Sequence, residues 1–300
     1  MKTNKAFSLI ELSIVILIIG ILVAGVTQGS RLVGEMKLSS GRSLTKSSDV
    51  ASMANLTLWL ETTSETAVTS ATNGNNPSDL DKISSWDDSN PQSLNKINLT
   101  QSTDAARPVY IANGINGLPS IKFESTSDFL QTTTTPIGAG DDDYTMVIVW
   151  RATTMSGTQV LMGQGTNTTL NNAQAMFATN NTQCGFAGYF NDSYTNPCGL
   201  IGNSNYATVM VIDNSLTNNV WIYNNSNTSV PAAGVASSGG AANLNLGADR
   251  LVIHAHPMSM VIQSNEMLVS EVIVFDRALK KSEIKAVNGY LGKKYGIAIQ

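Results

Sequence analysis

Two residues near the N-terminus, Phe7 and Glu11, have types and a spacing that could do chemistry together. Glu11 borders a long apolar run, Leu12 to Val26, and an unpaired carboxylate inside a bilayer costs about 2.5 kcal/mol or more. If the chain is cut before Phe7, the new α-amino group is a cation one helical turn from Glu11, because residues i and i+4 share a helix face. The amine could pair with Glu11 of its own chain or of a neighbouring copy. These residues indicate a subunit that is cut, held in a membrane and then stacked.

The segment that positions these two residues is apolar and long. Residues 7–26 would form a helix of about 30 Å, which is enough to cross a bilayer. An ordinary secretory signal is one alternative, with Lys2 and Lys5 as its basic region and a cut near Gly25. Glu11 does not fit that alternative, and the run is long for a signal. A plain membrane anchor is another alternative, which explains the length but not Glu11.

The stretch Ala6-Phe7-Ser8-Leu9-Ile10-Glu11-Leu12 resembles the class III signal of type IV prepilins and pseudopilins. The resemblance implies cleavage between Ala6 and Phe7 by a prepilin peptidase, N-methylation of Phe7, and a role for Glu11 in registering subunits in a helical fibre. It also implies a single-pass precursor in the bacterial inner membrane, followed by a pilus at the cell surface or a periplasmic pseudopilus. Ala6 is a departure, because the family usually has glycine before the cut.

The charge is unevenly distributed along the 300 residues. Residues 1–50 carry six Lys and Arg against three acidic residues, whereas the whole chain has a net charge of −4. The remainder is therefore acidic, at about −7, and rich in Asn, Ser, Thr and Gly. Such a composition gives no basic patch for nucleic acid and suits an extracellular surface.

Two cysteines, Cys184 and Cys198, lie in the part expected outside the membrane. An even count in an exported domain favours a disulfide, which here would close a 15-residue loop and stabilise the fold by roughly 3 kcal/mol. A metal pair is the alternative, but two cysteines with no nearby histidine make a poor zinc site.

The remaining pattern predicts an α+β protein. A helix is expected to continue to about residue 54, since no proline occurs before Pro77. From Leu58-Trp59-Leu60 onward, strand signals alternate with turn-forming clusters, which is typical of a mainly antiparallel β-sandwich. The expected strands cover residues 108–112, 120–123, 145–151, 207–212, 219–223, 243–246 and 271–275. One late helix is expected, with Ser282 as N-cap and an apolar stripe of Ile284, Val287 and Leu291.

The second region is similar to concanavalin A-like (laminin G-like) jelly-roll domains. The resemblance is carried by Leu58 to Glu61, Ile83 to Asn90, Arg107 to Phe123, and Glu271 to Gly296, in the family's order. It implies a jelly-roll head that could bind an extracellular glycan or protein. We therefore expect three parts: a leader at 1–6, a helix at 7–54 with its transmembrane part at 7–26, and a head at 55–300.

Few residues of the head suggest chemistry. Neither Glu124 with Asp128 nor Glu271 with Asp276 has the spacing of a glycosidase pair, so we expect no catalysis and no cofactor. Asp141, Asp142 and Asp143 could bind calcium, although a solvated turn is the preferred interpretation. His254 and His256 share a strand face but lack a third metal ligand, which favours a polar strand edge. Core positions are the default for the four tryptophans, over a sugar-stacking surface.

Together these observations predict a filament subunit that assembles with other pilin subunits through its N-terminal helix. The large head favours a minor or tip subunit with a lectin-like adhesive role over a closely packed major one. Two alternatives stay open: a pseudopilin of a type II secretion system, and a membrane-anchored carbohydrate- or protein-binding jelly roll that never polymerises.

Overall fold

The computed structural model describes residues 9–124, 127–138, 143–165, 173–179, 183–188, 191–195, 199–213, 215, 220–228, 249–255 and 265–300. It begins with helix α1, Leu9–Lys46, whose 38 residues extend about 57 Å. A 3₁₀ helix follows at Asp49–Ser52. The α-helix therefore ends before the expected residue 54. Ser48 adopts an extended conformation, and this turn lets Val50 enter the core of the head.

Seven strands of the described residues form the first sheet, in the order β14-β13-β8-β16-β6-β5, with β1 also paired to β16. All described pairs are antiparallel. The strands are β1 (Leu56–Glu61), β5 (Val109–Ile111), β6 (Ser120–Phe123), β8 (Tyr144–Ala152), β13 (Tyr206–Ile212), β14 (Val220–Asn224) and β16 (Met267–Phe275).

The second sheet has nine strands within the described ranges, in the order β12-β11-β10-β9-β15-β7-β4-β3-β2. These strands are β2 (Val68–Ser70), β3 (Ile83–Trp86), β4 (Leu99–Thr100), β7 (Leu130–Thr132), β9 (Thr158–Gly165), β10 (Ala173–Thr179), β11 (Gln183–Gly188), β12 (Asn191–Thr195) and β15 (Leu251–Ile253). The expected antiparallel sandwich is confirmed.

The first sheet is buried on both faces, which explains its nearly continuous apolar strands. One face packs on the second sheet, where Trp86, Phe123 and Trp150 are fully buried. The opposite face carries Val147, Val149 and Ile273, which belong to a separate core shared with the C-terminal helix. The head therefore has three layers, of which the outermost is helical.

Helix α2, Lys281–Tyr295, forms this outer layer. Its predicted stripe of Ile284, Val287 and Leu291 is buried as expected. The predicted N-cap is wrong: Lys280 is the N-cap, and Ser282 lies inside the helix. The start is fixed instead by Glu283, whose carboxylate accepts the Lys280 backbone N–H at 2.8 Å and pairs with Arg277.

The strands predicted from apolar runs agree with the structure to within a few residues, except that the segment 243–246 lies outside the described residues. Several strands of the second sheet, such as β10 and β11, were not predicted. They are rich in Ala, Gly, Gln and Thr, so they lack the β-branched and alternating pattern that a strand signal requires.

Candidate functional site

The N-terminal half of α1 is an apolar surface that nothing in the described chain covers. Every large apolar side chain from Leu9 to Val26 is 48–84% exposed. These 18 residues extend about 27 Å, and α1 is one helix that is long and apolar enough to cross a membrane. An all-apolar helix surface of this size is stable only in lipid or against other apolar helices.

The polar residues within this segment fit such surroundings. The Ser13 hydroxyl donates to the Ile10 carbonyl at 2.9 Å, and the Thr27 hydroxyl donates to Val23 at 2.9 Å. Each hydroxyl is therefore satisfied by its own helix, as an apolar environment requires. Glu11 is the acidic residue of the first described turn. It is the one formal charge between Leu9 and Val26, so it is the position at which a partner's cation would be favoured.

The C-terminal end of α1 is joined tightly to the head. Gly41 is its buried residue, and a Cβ placed there would lie 3.3 Å from the Leu118 side chain and 3.4 Å from that of Thr63. The Arg42 guanidinium donates to the Thr63 carbonyl at 2.6 Å. Lys37, one turn earlier, reaches the Asn116 carbonyl at 3.3 Å. The head therefore holds the helix from Lys37 onward.

A buried ionic cluster lies at this junction. The Lys294 ammonium of α2 is 2.9 Å from Glu271 of β16 and 3.3 Å from Glu61 of β1, and the side chain of each residue is at most 2% exposed. Lys294 also donates to the Thr45 hydroxyl of α1 at 2.7 Å and is 3.1 Å from the Tyr290 hydroxyl. One ammonium therefore contacts α1, α2 and both strands.

The two carboxylates are brought together by strand register, since Glu61 lies directly opposite Glu271 in the β1–β16 pair. Like charges in such a pair repel each other, and Lys294 offsets that repulsion. Glu271 is further satisfied by N–H and O–H donors from Trp59, Tyr290 and Tyr295, each at 2.8 Å. This cluster was not predicted, because its three charged residues lie far apart in sequence.

The surroundings of the cluster determine its ionisation. Burial alone would raise the pKa of Glu61, but the Lys294 charge and hydrogen bonds from Thr63 and Ser64 lower it below the usual range. Burial, together with the nearby Glu271, raises the pKa of Tyr290 and Tyr295 well above the usual value. Both tyrosines therefore stay protonated and continue to donate to Glu271.

Several predicted site residues lie outside the described residues: Ala6, Phe7, Cys198, His256, Asp141 and Asp142. Cys184 belongs to β11, but its side chain is likewise not described, so the disulfide stays a prediction. Asp143 precedes β8, and the structure does not test its proposed calcium. In the part of the chain that the structure describes, no cluster of three His, Cys, Asp or Glu could hold a metal.

His254 does not lie at a polar strand edge, so that prediction is wrong. It follows β15, is fully buried, and its two ring nitrogens are 2.8 Å from the Asp128 carbonyl and 3.0 Å from the Asn265 carbonyl. The core interpretation of the tryptophans is confirmed for Trp59, Trp86 and Trp150. Trp221 is only partly buried.

Two parts of the chain, the N-terminal segment and the head, are similar to known proteins. Residues 1–27 match the family described as the prokaryotic N-terminal methylation motif. A search of curated proteins found no match. The head is similar to Trypanosoma rangeli sialidase, in the structure with sialic acid (15% identity, TM-score 0.51) and in that with 2,3-difluorosialic acid (14%, 0.51). Each match covers 80% of this chain and 33% of the sialidase chain.

The chain thus spans about a third of the length of the sialidases it matches. At these identities the similarity concerns the fold of the sandwich alone. The methylation motif, in contrast, coincides with the exposed apolar helix, and it implies processing by a prepilin peptidase. The protein is therefore type IV pilin-like, with an N-terminal hydrophobic helix and a β-sandwich head.

Proposed function

We propose that the protein is a subunit of a type IV pilin-like filament. Residues 1–6 form the leader, and the cut between Ala6 and Phe7 creates the amine that is methylated and that faces Glu11. Before assembly the segment 7–26 crosses the inner membrane with the head outside. After processing, the same segment leaves the lipid and packs among the helices of neighbouring subunits.

One observation carries this proposal: the uncovered apolar segment from Leu9 to Val26, whose single acidic residue is Glu11, coincides with the methylation motif. Apolar side chains gain nothing by leaving lipid for other helices, so a specific polar contact and close packing must favour assembly. Glu11 provides the polar contact. Gly25 and Gly29 lie four residues apart on one helix face, and this spacing of small residues lets a second helix approach closely. Outside the helix itself, no described atom lies within 4 Å of a Cβ placed at either position, so this face is open to a neighbour.

We further propose that the subunit is a minor or tip component whose head acts by binding and not by catalysis. A head of about 245 residues is large beside a helix that must pack closely with its neighbours. The buried carboxylates Glu61 and Glu271 are both held by Lys294 and are therefore not free to act as an acid–base pair. A tip position would present the head to an extracellular glycan or protein.

The proposal is tested by Glu11→Ala in the native organism, with quantification of the protein in membranes and in sheared surface filaments. We expect an unchanged amount in membranes and a loss from filaments, because the registry contact is removed while the apolar segment remains. Glu35→Ala is the matched control, since Glu35 lies on the same helix and pairs with Arg31 outside the apolar segment. Normal incorporation of the Glu11→Ala protein would contradict the registry role.

A further inference from the structure

A polar pocket opens where strand β7 ends and strand β15 begins. These strands are neighbours in the second sheet, with Gln131 paired to Val252, so the residues after β7 and before β15 lie side by side. The pocket has a volume of about 510 Å³. Its lining consists of Gln131, Thr132, Thr133, Thr134, Thr135, Asp249 and Arg250. Every side chain of this lining therefore carries a hydrogen-bonding group.

Two of these groups are buried without a partner. Among the described residues, four buried side-chain atoms lack a hydrogen bond, and two of them, Nε of Arg250 and Oε1 of Gln131, belong to this pocket. Buried polar atoms in native proteins are almost always paired, so an unpaired donor and an unpaired acceptor on two lining residues of one pocket require an explanation. A bound molecule that accepts from the Arg250 guanidinium and exchanges a hydrogen bond with the Gln131 amide would give both side chains a partner.

The charge of the pocket indicates the chemistry of that molecule. Arg250 has no ion pair with any described carboxylate, although Asp249 is its neighbour. One oxygen of Asp249 instead accepts the Arg250 backbone N–H at 2.7 Å. A guanidinium without a partner matches a carboxylate in geometry and charge. The site therefore favours an anion.

The hydroxyl groups add a second requirement. The Thr132 hydroxyl oxygen already accepts the Leu251 backbone N–H at 2.8 Å, so it is held in place and has its proton left to donate. Thr133, Thr134 and Thr135 add three further hydroxyl groups to the lining of the pocket. Such hydroxyl groups can exchange hydrogen bonds with the hydroxyls of a polyol. A simple carboxylate has no hydroxyls to bond to them, so they would bond to water instead.

We propose that this pocket binds an acidic sugar of the uronic acid class. The carboxylate faces Arg250, and the sugar hydroxyls face the threonines and the amide of Gln131. The inference rests on the proposed function for its biological meaning, because an extracellular head is what would meet such a glycan. Binding itself needs no filament, so it can be measured separately from assembly.

The test is titration of the detergent-solubilised full chain with glucuronate, galacturonate and glucose, followed by calorimetry. We expect saturable binding of at least one uronate, with glucose bound about tenfold or more weakly, as the loss of one charge-assisted contact implies. Arg250→Gln should reduce uronate binding to the level of glucose. Arg31→Gln, an exposed arginine on α1, is the control and should bind as the wild type does.

A measurement of thermal unfolding distinguishes a binding role from a structural one. If Arg250 serves a ligand, Arg250→Gln should leave the Tm without ligand unchanged and abolish the rise that uronate causes in the wild type. Absence of uronate binding by the wild type, or equal uronate binding by Arg250→Gln, would overturn the proposal. A drop of several degrees in Tm for ligand-free Arg250→Gln would overturn it too. None of these outcomes bears on the Glu11 experiment, which has its own readout.

Discussion

The substitution Lys294→Met is expected to destabilise the head strongly, because it removes the one cation between two buried carboxylates. Methionine is similar in length to lysine but lacks the ammonium, which lies 5.5 Å from the ring centroid of Tyr290 and 5.3 Å from that of Tyr295, so the change is chiefly one of charge. Removing one partner of a buried ion pair costs about 3–5 kcal/mol, since the remaining charge is left uncompensated. Here Glu61 and Glu271 would face each other directly.

For a domain of this size, each kcal/mol shifts Tm by about 2–4 °C, so the expected decrease is about 6–20 °C. The assay is thermal unfolding of the detergent-solubilised protein followed by circular dichroism in the β-sheet region. Lys293→Met is the matched control, because Lys293 is adjacent in sequence but exposed, and it should shift Tm by less than about 2 °C. Adding Glu61→Gln to Lys294→Met should recover part of the loss. A Tm for Lys294→Met within about 2 °C of the wild type would show that Lys294 does not stabilise the buried carboxylates.

Two further predictions concern the same junction. The pKa of Glu61 is lower in the folded state than in the unfolded state, so the unfolded state binds a proton more readily. The stabilisation from this carboxylate is therefore present above about pH 4.5. It is lost as the pH falls through the pKa of the folded state. Below about pH 4.5, the free energy of unfolding should therefore decrease less steeply with falling pH in Glu61→Gln than in the wild type, as measured by acid unfolding followed by tryptophan fluorescence. The same pH dependence in both proteins would contradict this assignment. Gly41→Leu should destabilise the head by about 1–3 kcal/mol, because its side chain would collide with Leu118 and Thr63, whereas Gly34→Leu has open space around it and should be tolerated. Equal Tm values for the two leucine variants would argue against close packing of α1 on the head.

The membrane segment and the main strands could be predicted because their signals are local. A carboxylate at the edge of an apolar run is unusual whatever the rest of the fold. A strand that is buried on both faces likewise appears in the sequence as a continuous apolar run. The pattern of β8, from Tyr144 to Ala152, is of this kind. The stripe of α2 was predictable for the same reason, since helical spacing alone fixes which residues share a face.

The junction cluster and the helix ends could not be predicted, because they depend on tertiary contacts. Glu61 and Glu271 are 210 positions apart and meet only through the β1–β16 register. Lys294 looks in sequence like any lysine near a helix C-terminus. Helix α1 likewise ends at Lys46 because Val50 is buried in the head, and no residue near Ser48 indicates that burial in the sequence. The start of α2 is set by Glu283 and not by Ser282, because Glu283 accepts the Lys280 backbone N–H and also pairs with Arg277.

Mass spectrometry of the N-terminal peptide, applied to sheared surface filaments and to membranes of the native organism, shows whether the chain is processed and assembled. We expect a peptide that begins with N-methylated Phe7 in the filament fraction, as a processed filament subunit requires. An intact Met1 terminus confined to membranes, or a cut near Gly25, would contradict it and would leave a membrane-anchored or secreted β-sandwich protein in its place.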